Sequence, residues 1–421
     1  MAIVRLFVCA QGVTRPAAGG QDGFYTARAV AASQTSTQRA AAPVGVIVWL
    51  PFALYAAALA AAIACVPYRP ALDDPEVAHL ARSFAATGRL APGELFLRVP
   101  FWQMLLGGVF SLVGERAGVL LVQSAVVLAS LATLAAWVRR ERLSVPAALA
   151  VALLFAASPQ IVLYARHLAN ELFVGWLAMA VVVLATGRAR ARAVWLGLAV
   201  GVAAMTKLAA ALLVLPALAG LWRERAARRH NLALAGGALA AVVAPLVVLA
   251  RVQRGSWVLD DTSAFNLGAL DAPTWSALGA PARSDAALES FARALADAPL
   301  AYLAAALGRA AQWLLRPGSL DLRAWIPQYP PLALEVGDVV VFFSIVTLAV
   351  LGTRRDRALA WIFPVGIWLA CSLPQKTPYS PRVAVLFPLL LLAPAGWTEL
   401  RSLFAALRPA PVRTPGHEAG P

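Results

Sequence analysis

Long apolar runs separated by short clusters of arginine dominate the chain. The first, Val44 to Val66, is long enough to cross a bilayer, for which about 20 apolar residues suffice. Further runs at about 118–138, 144–162, 168–186, 193–206, 207–221, 232–250, 336–352, 358–373 and 382–398 give ten candidate spans. The fifth and sixth are short and could form one re-entrant pair around Thr206-Lys207. Elsewhere the period is helical but one-sided. Asp74 and Pro75 mark a helix start, and Val77, Leu80, Ala81 and Phe84 then share a face. A second half-apolar helix runs from Phe101 to Val113, after Pro100. Asp285 to Ala296 places Leu288, Phe291 and Leu295 on one side, and the apolar segment from Pro299 to Leu315 is interrupted by Arg309. The first two read as helices lying in the membrane interface. The pattern predicts an all-α integral membrane protein of about ten transmembrane helices with interfacial helices in its outer loops. Its parts are a cytoplasmic, disordered tail over 1–43, a membrane domain over 44–400 and a cytoplasmic tail over 401–421.

Composition agrees and charge adds orientation. The 421 residues are 61% hydrophobic and only 14% charged, against roughly 25% charged in a soluble domain. Arg139 to Arg142, Arg188 to Arg192, Arg223 to Arg229 and Arg354 to Arg357 all fall on the side that also holds both termini. That side carries 20 of the 36 basic residues and 6 of the 21 acidic ones, leaving 16 and 15 for the rest of the chain. Nearly all of the net charge of +15 therefore lies on one face, which the positive-inside rule makes cytoplasmic. The charge reports topology and not a nucleic-acid partner. The loops 67–117, 251–335 and 374–382 then face outward from a plasma (inner) membrane. Cys9, Cys65 and Cys371 and the four scattered histidines show neither a disulfide framework nor a metal-ligand spacing.

The outer loops hold the candidate chemistry. Asp73 and Asp74 follow directly on the first span. Asp74-Pro75-Glu76 is a common helix entry, in which Asp74 caps and Glu76 favours the positive end of the dipole. A cap does not account for Asp73, which is the better candidate for a general base in a transfer to a hydroxyl. Asp73, Asp74 and Glu76 could also hold a divalent cation, although their spacing is equally that of a solvated helical turn. If the donor were a lipid-linked sugar, the departing phosphate would need cations at the membrane surface. Lys207, Arg251, Arg254, Lys376 and Arg382 stand at or near outer span ends, where snorkelling to the interface is the simpler explanation for Arg251 and Arg254. Lys376 and Arg382 sit in the proline-rich loop Ser372 to Arg382 and suit a phosphate better.

These residues resemble the polytopic glycosyltransferases of the C superfamily that use polyprenyl-phosphate sugars, the group of the protein mannosyltransferases and the lipid A aminoarabinose transferase. That group carries an Asp-Glu pair just after the first span, then an amphipathic helix ending in Ala-Arg; here Asp73-Asp74 leads to Leu80-Ala81-Arg82. Arg98-Val99-Pro100-Phe101 to Phe110 is the counterpart of its half-inserted helix. Ser158-Pro159 to Tyr164-Ala165-Arg166 and Gly197 to Met205-Thr206-Lys207 match its third and fifth spans, and Ser372 to Pro388 the stretch before its last. The second acid is Asp74 in place of Glu, and the spacing of Lys376 and Tyr379 is irregular. The resemblance implies an inverting transfer of a sugar from a polyprenyl-phosphate donor to a lipid, glycan or protein acceptor at the outer face. It implies Asp73 as base with Asp74 beside it, and Glu94, Lys207, Lys376, Tyr379 and Arg382 in substrate binding. A transporter would place its ionisable groups within the spans, where this chain has few. A non-catalytic component of an envelope-polysaccharide or lipid-transport system remains the other reading, in which Asp73 and Asp74 only start a helix.

Overall fold

In the computed structural model the described residues are 44–65, 68, 74–90, 98–187, 191–224, 226–255, 257–260, 274, 277–278, 280–315, 331–353, 358–372 and 382–406. Among them every regular element is a helix. In chain order these are α1 (Gly45–Cys65), α2 (Asp74–Thr87), α3 (Pro100–Val113), α4 (Glu115–Arg140), α5 (Val145–Ala156), α6 (Pro159–Tyr164), α7 (Glu171–Ala185) and α8 (Arg192–Thr206). A 3-10 turn (Leu208–Leu213) leads into α9 (Val214–Trp222), followed by α10 (Arg228–Arg254), α11 (Ala280–Asp297) and α12 (Pro299–Leu315). The chain closes with α13 (Pro331–Leu351), α14 (Leu359–Ser372), α15 (Arg382–Leu390) and α16 (Ala393–Ala406).

By length and composition α1, α4 and α10 are able to cross a membrane, and α15 with α16 would make a fourth crossing if that pair, bent by 65°, is one span. The other six expected spans coincide with shorter apolar helices. Their breaks have local causes. Pro159 has no N–H to donate to Phe155 O, and the Ser158 N–H takes that carbonyl at 3.1 Å, so α5 ends and α6 restarts at a new angle. Lys207 is in an extended conformation and separates α8 from the 3-10 turn, dividing the two short spans where the sequence suggested a re-entrant pair. The two helices expected in the first outer loop are present as α2 and α3, and the amphipathic stretch and the apolar segment of the second form α11 and α12. Leu288 and Leu295 of α11, and Leu300, Leu303 and Leu307 of α12, leave exposed apolar stripes suited to lipid contact.

The core is centred on α4, α5, α7, α13, α14 and α15, with Trp137, Tyr55, Phe155, Phe363 and Phe387 fully buried. Phe155 meets Phe387 edge-on at 5.1 Å. Lipid is as apolar as leucine, so helices in a membrane associate mainly through close backbone approach over small residues. Gly197 faces the Ala235 carbonyl where α8 lies on α10, and Gly396 faces the Leu348 carbonyl where α16 lies on α13; a Cβ at either would collide with backbone. A polar pair is buried within this apolar core: Gln160 of α6 donates to Asp338 Oδ2 of α13 at 2.7 Å.

Candidate active site

Asp74 opens α2 and is 2% exposed. Its carboxylate is turned toward the segment that joins α6 to α7. Oδ2 lies 2.7 Å from His167 Nδ1, and Oδ1 accepts the Leu168 N–H at 3.0 Å. The Tyr68 hydroxyl donates to Oδ2 at 3.1 Å, and the Tyr68 ring leans over the imidazole with centroids 5.8 Å apart. A helix cap alone would not bring these three partners to one carboxylate. Burial pushes the Tyr68 phenol above its ordinary pKa, and the Asp74 charge and hydrogen bond push it further, so this hydroxyl remains a donor at physiological pH.

The receiving segment, 165–170, is irregular backbone that needs partners for its polar groups. After α6 the bonds tighten to the three-residue type, with Arg166 N–H on Leu163 O at 3.0 Å and His167 N–H on Tyr164 O at 3.1 Å. Gln123 of α4 donates to His167 O at 3.0 Å and Ala169 O at 2.7 Å, while Trp102 of α3 donates to Leu168 O at 2.6 Å. Arg166 reaches Ala62 O of α1 at 2.9 Å, and Asn170 reaches Thr206 O at the end of α8 at 2.9 Å. Three bundle helices, α1, α4 and α8, together with α3 thereby hold the segment that holds Asp74. Partial burial lowers the Arg166 guanidinium from its ordinary value.

Beside this anchor lies a layer of paired charges. Glu76 Oε2 accepts from Arg98 Nη2 at 2.8 Å and Nε at 3.2 Å, and its Oε1 is buried with no hydrogen bond among the described residues. The end of α10 docks on the same loop, since Arg254 donates to Arg98 O at 3.0 Å and Gln253 Oε1 accepts the Leu90 N–H at 2.6 Å. Lys207 is bound to Glu171 Oε1 at 2.7 Å, with its side chain 30% exposed. Arg251 stands over the Trp257 ring at 5.4 Å. Between the α2–α3 pair and the α8–α10 pair runs an open apolar groove of about 440 Å³, lined by Phe84, Phe101, Leu105, Val202, Val242 and Leu246 among others.

Of the expected site residues, the structure thus places Asp74 and Lys207, and places them in separate ion-pair or hydrogen-bond systems. Asp73, Glu94, Lys376 and Tyr379 lie outside the described residues; Arg382 opens α15, and its side chain lies outside the described set. No group of three or more His, Cys, Asp or Glu residues able to hold a metal ion occurs among the described residues. Sequence reasoning passed over His167, Tyr68, Gln123 and the Glu76–Arg98 pair. The one available signal was position: His167 directly follows the Tyr164-Ala165-Arg166 stretch that carries part of the resemblance.

No family model matches the chain, and no curated protein matches it. Among solved structures it is similar to that of ArnT from Cupriavidus metallidurans bound to undecaprenyl phosphate, with a TM-score of 0.53 and 17% identity over 87% of this chain. The apo state of the same protein superposes with a TM-score of 0.49 and 17% identity over 89% of the chain. The chain spans 64% of the length of the first of these structures, under two thirds. The likeness shows a shared polytopic helical fold, in agreement with the resemblance of the sequence to the C superfamily.

Proposed function

We propose that this protein transfers a sugar from a polyprenyl-phosphate donor to an acceptor hydroxyl on a lipid, glycan or protein at the outer face of the plasma membrane. The observation that carries the reading is the anchoring of α2. A buried Asp74 ties the start of an outer-loop helix to the bundle, immediately after Asp73 in the chain. The shared fold supports it, because the similar structure holds undecaprenyl phosphate, and the apolar groove beside α2 and α3 suits an isoprenoid chain.

In this reaction the acceptor oxygen attacks the anomeric carbon as the bond to the lipid phosphate breaks, in a single displacement that inverts the configuration. Asp73 takes the acceptor proton. Asp74 is occupied by three donors and holds the helix in place. The phosphate departs with its charge toward the cations of the last outer loop, Lys376 and Arg382, with Tyr379 and Glu94 contributing to substrate binding. Lys207, already paired with Glu171, contributes to substrate binding less directly by tying the end of α8 to the start of α7. The membrane domain covers 44–400 in ten spans, with both termini cytoplasmic.

Asp73→Asn tests this most directly. General-base catalysis contributes about 10²–10⁴-fold, so transfer from a short-chain polyprenyl-phosphate sugar should fall by that factor while the melting temperature stays at the wild-type value. Wild-type transfer by Asp73→Asn would remove it as the base. No transfer by the unmodified protein, across a panel of such donors, would favour a non-catalytic envelope component.

A further inference from the structure

We infer that His167 is a positioning residue, which through Asp74 fixes the direction of the outer-loop helix α2 against the membrane bundle. The kinetic part of this inference rests on the proposed role of Asp73, and the structural part does not.

Helix α2 is a rod with two pins. Three residues past its far end, the Leu90 N–H is held by Gln253 of α10 at 2.6 Å. At its near end, Asp74 binds His167 Nδ1 at 2.7 Å and the Leu168 N–H at 3.0 Å. Two other polar ties hold that end less firmly: Glu76 to Arg98 reaches α10 only through the Arg98 carbonyl and Arg254, and Arg82 meets Glu115 of α4 at 2.6 Å in an exposed pair about two turns along the helix. The packing of α2 on α3, where a Cβ on Gly107 would stand 2.7 Å from Ala81 O, belongs to an apolar cluster that reaches Val119 and Val122 of α4, a non-directional contact that sets the angle of the helix less sharply than a hydrogen bond. A helix of 14 residues is about 21 Å long, so a pivot of about 3° about the Leu90 end moves its start by about 1 Å. A displacement of that size can cost about 10²-fold in rate when a catalytic group is carried along.

His167 is suited to the task for a reason Leu168 is not. Its ring is 5% exposed, its own carbonyl is held by Gln123 at 3.0 Å, and the Tyr68 ring covers it, so the imidazole has little freedom to follow a moving carboxylate. Removing the ring nitrogen leaves the backbone bond from Leu168 and the Tyr68 hydroxyl, which rides on the loop before α2 and not on the bundle. The lost contact is therefore the buried side-chain one between the start of the helix and the bundle.

The test compares H167L with H167N in full-length protein reconstituted in lipid nanodiscs. Asparagine can present an amide N–H close to where Nδ1 stands; leucine fills the space and donates nothing. Amide exchange over 74–87 should speed at least about tenfold in H167L and stay near wild type in H167N, with the core of α4 and α7 unchanged in both. With a short-chain polyprenyl-phosphate sugar, kcat of H167L should fall about 10²-fold at nearly constant KM, and H167N should recover most of it. Unchanged exchange over 74–87 in H167L overturns the inference, and so does faster exchange spread evenly over the whole protein. If H167L does not fold, H167Q replaces it, because its longer amide overshoots Asp74 Oδ2. Faster exchange confined to 74–87 in a protein that transfers no sugar would uphold the pin and refute the proposed function.

Discussion

At the scale of single residues, Asp74 shows how a neutral substitution and a truncation separate two roles for one carboxylate. Asp74→Asn keeps an oxygen for the Leu168 N–H, and its amide meets His167 and Tyr68, which can both become acceptors: the imidazole by exchanging tautomers and the phenol by rotating. Asp74→Ala leaves a buried backbone N–H and an imidazole donor unmet, each costing about 1–3 kcal/mol. Asp74→Asn should therefore melt within a few degrees of wild type and keep most of its activity, while Asp74→Ala should lose about 3 kcal/mol, read by pulse proteolysis in detergent. Equal losses in the two would mean that the ionised carboxylate itself is required. The acid at the span end was legible in the sequence because carboxylates are rare in this chain and sit beside a proline that starts a helix. Its partner was not. His167 lies 93 residues away, and one histidine in an apolar stretch gives no pattern of spacing from which its contact could be read.

At the scale of elements, hydrophobic period was enough to find the helices, and the interfacial ones were marked by one-sided apolar faces. What period does not encode is which helices touch. That is decided by small residues at the crossing points, and in a chain rich in alanine and glycine many small residues stand at no crossing, as Gly236 and Gly237 do. Gly197 and Gly236 make the contrast testable. A Cβ on Gly197 meets the Ala235 backbone, whereas a Cβ on Gly236 meets nothing within 4 Å. Gly197→Val should push α8 off α10 and cost about 1–3 kcal/mol, with loss of folded protein in detergent extracts. Gly236→Ala should be neutral or slightly stabilising, since alanine favours the helix by about 1 kcal/mol. Tolerance of Gly197→Val, measured by thermal melting of the purified protein, would show that the α8–α10 contact can relax. The same contact borders the apolar groove through Val202 and Val242, so a shifted α8 should also weaken binding of a polyprenyl phosphate.

At the scale of the whole molecule, the proposed function depends on which side of the membrane the first outer loop occupies. Helix α10 has 27 residues and is about 40 Å long, more than the roughly 30 Å of hydrocarbon, so it is long enough for its two ends to emerge on opposite faces. Its own charges do not orient it: Arg228 and Arg229 stand at one end, Arg251 and Arg254 at the other. The expected orientation comes instead from the whole chain, whose basic excess falls on the Arg229 side in the ten-span reading, while the other end of α10 bonds to Arg98 and Leu90 beside Asp74. The α10 tie thus carries the sidedness of the charge pattern directly to the candidate site. Single cysteines make this measurable once Cys9, Cys65 and Cys371 have been replaced, Cys65 being exposed. Both Arg229 and Asp285 are exposed, so each should label in opened membranes. In sealed inverted vesicles a thiol reagent that cannot cross the bilayer should modify Arg229→Cys and spare Asp285→Cys, and in intact cells the pattern should reverse. If intact cells instead label Arg229→Cys, then Asp74, His167 and the groove face the cytoplasm, and an acceptor at the outer face is excluded.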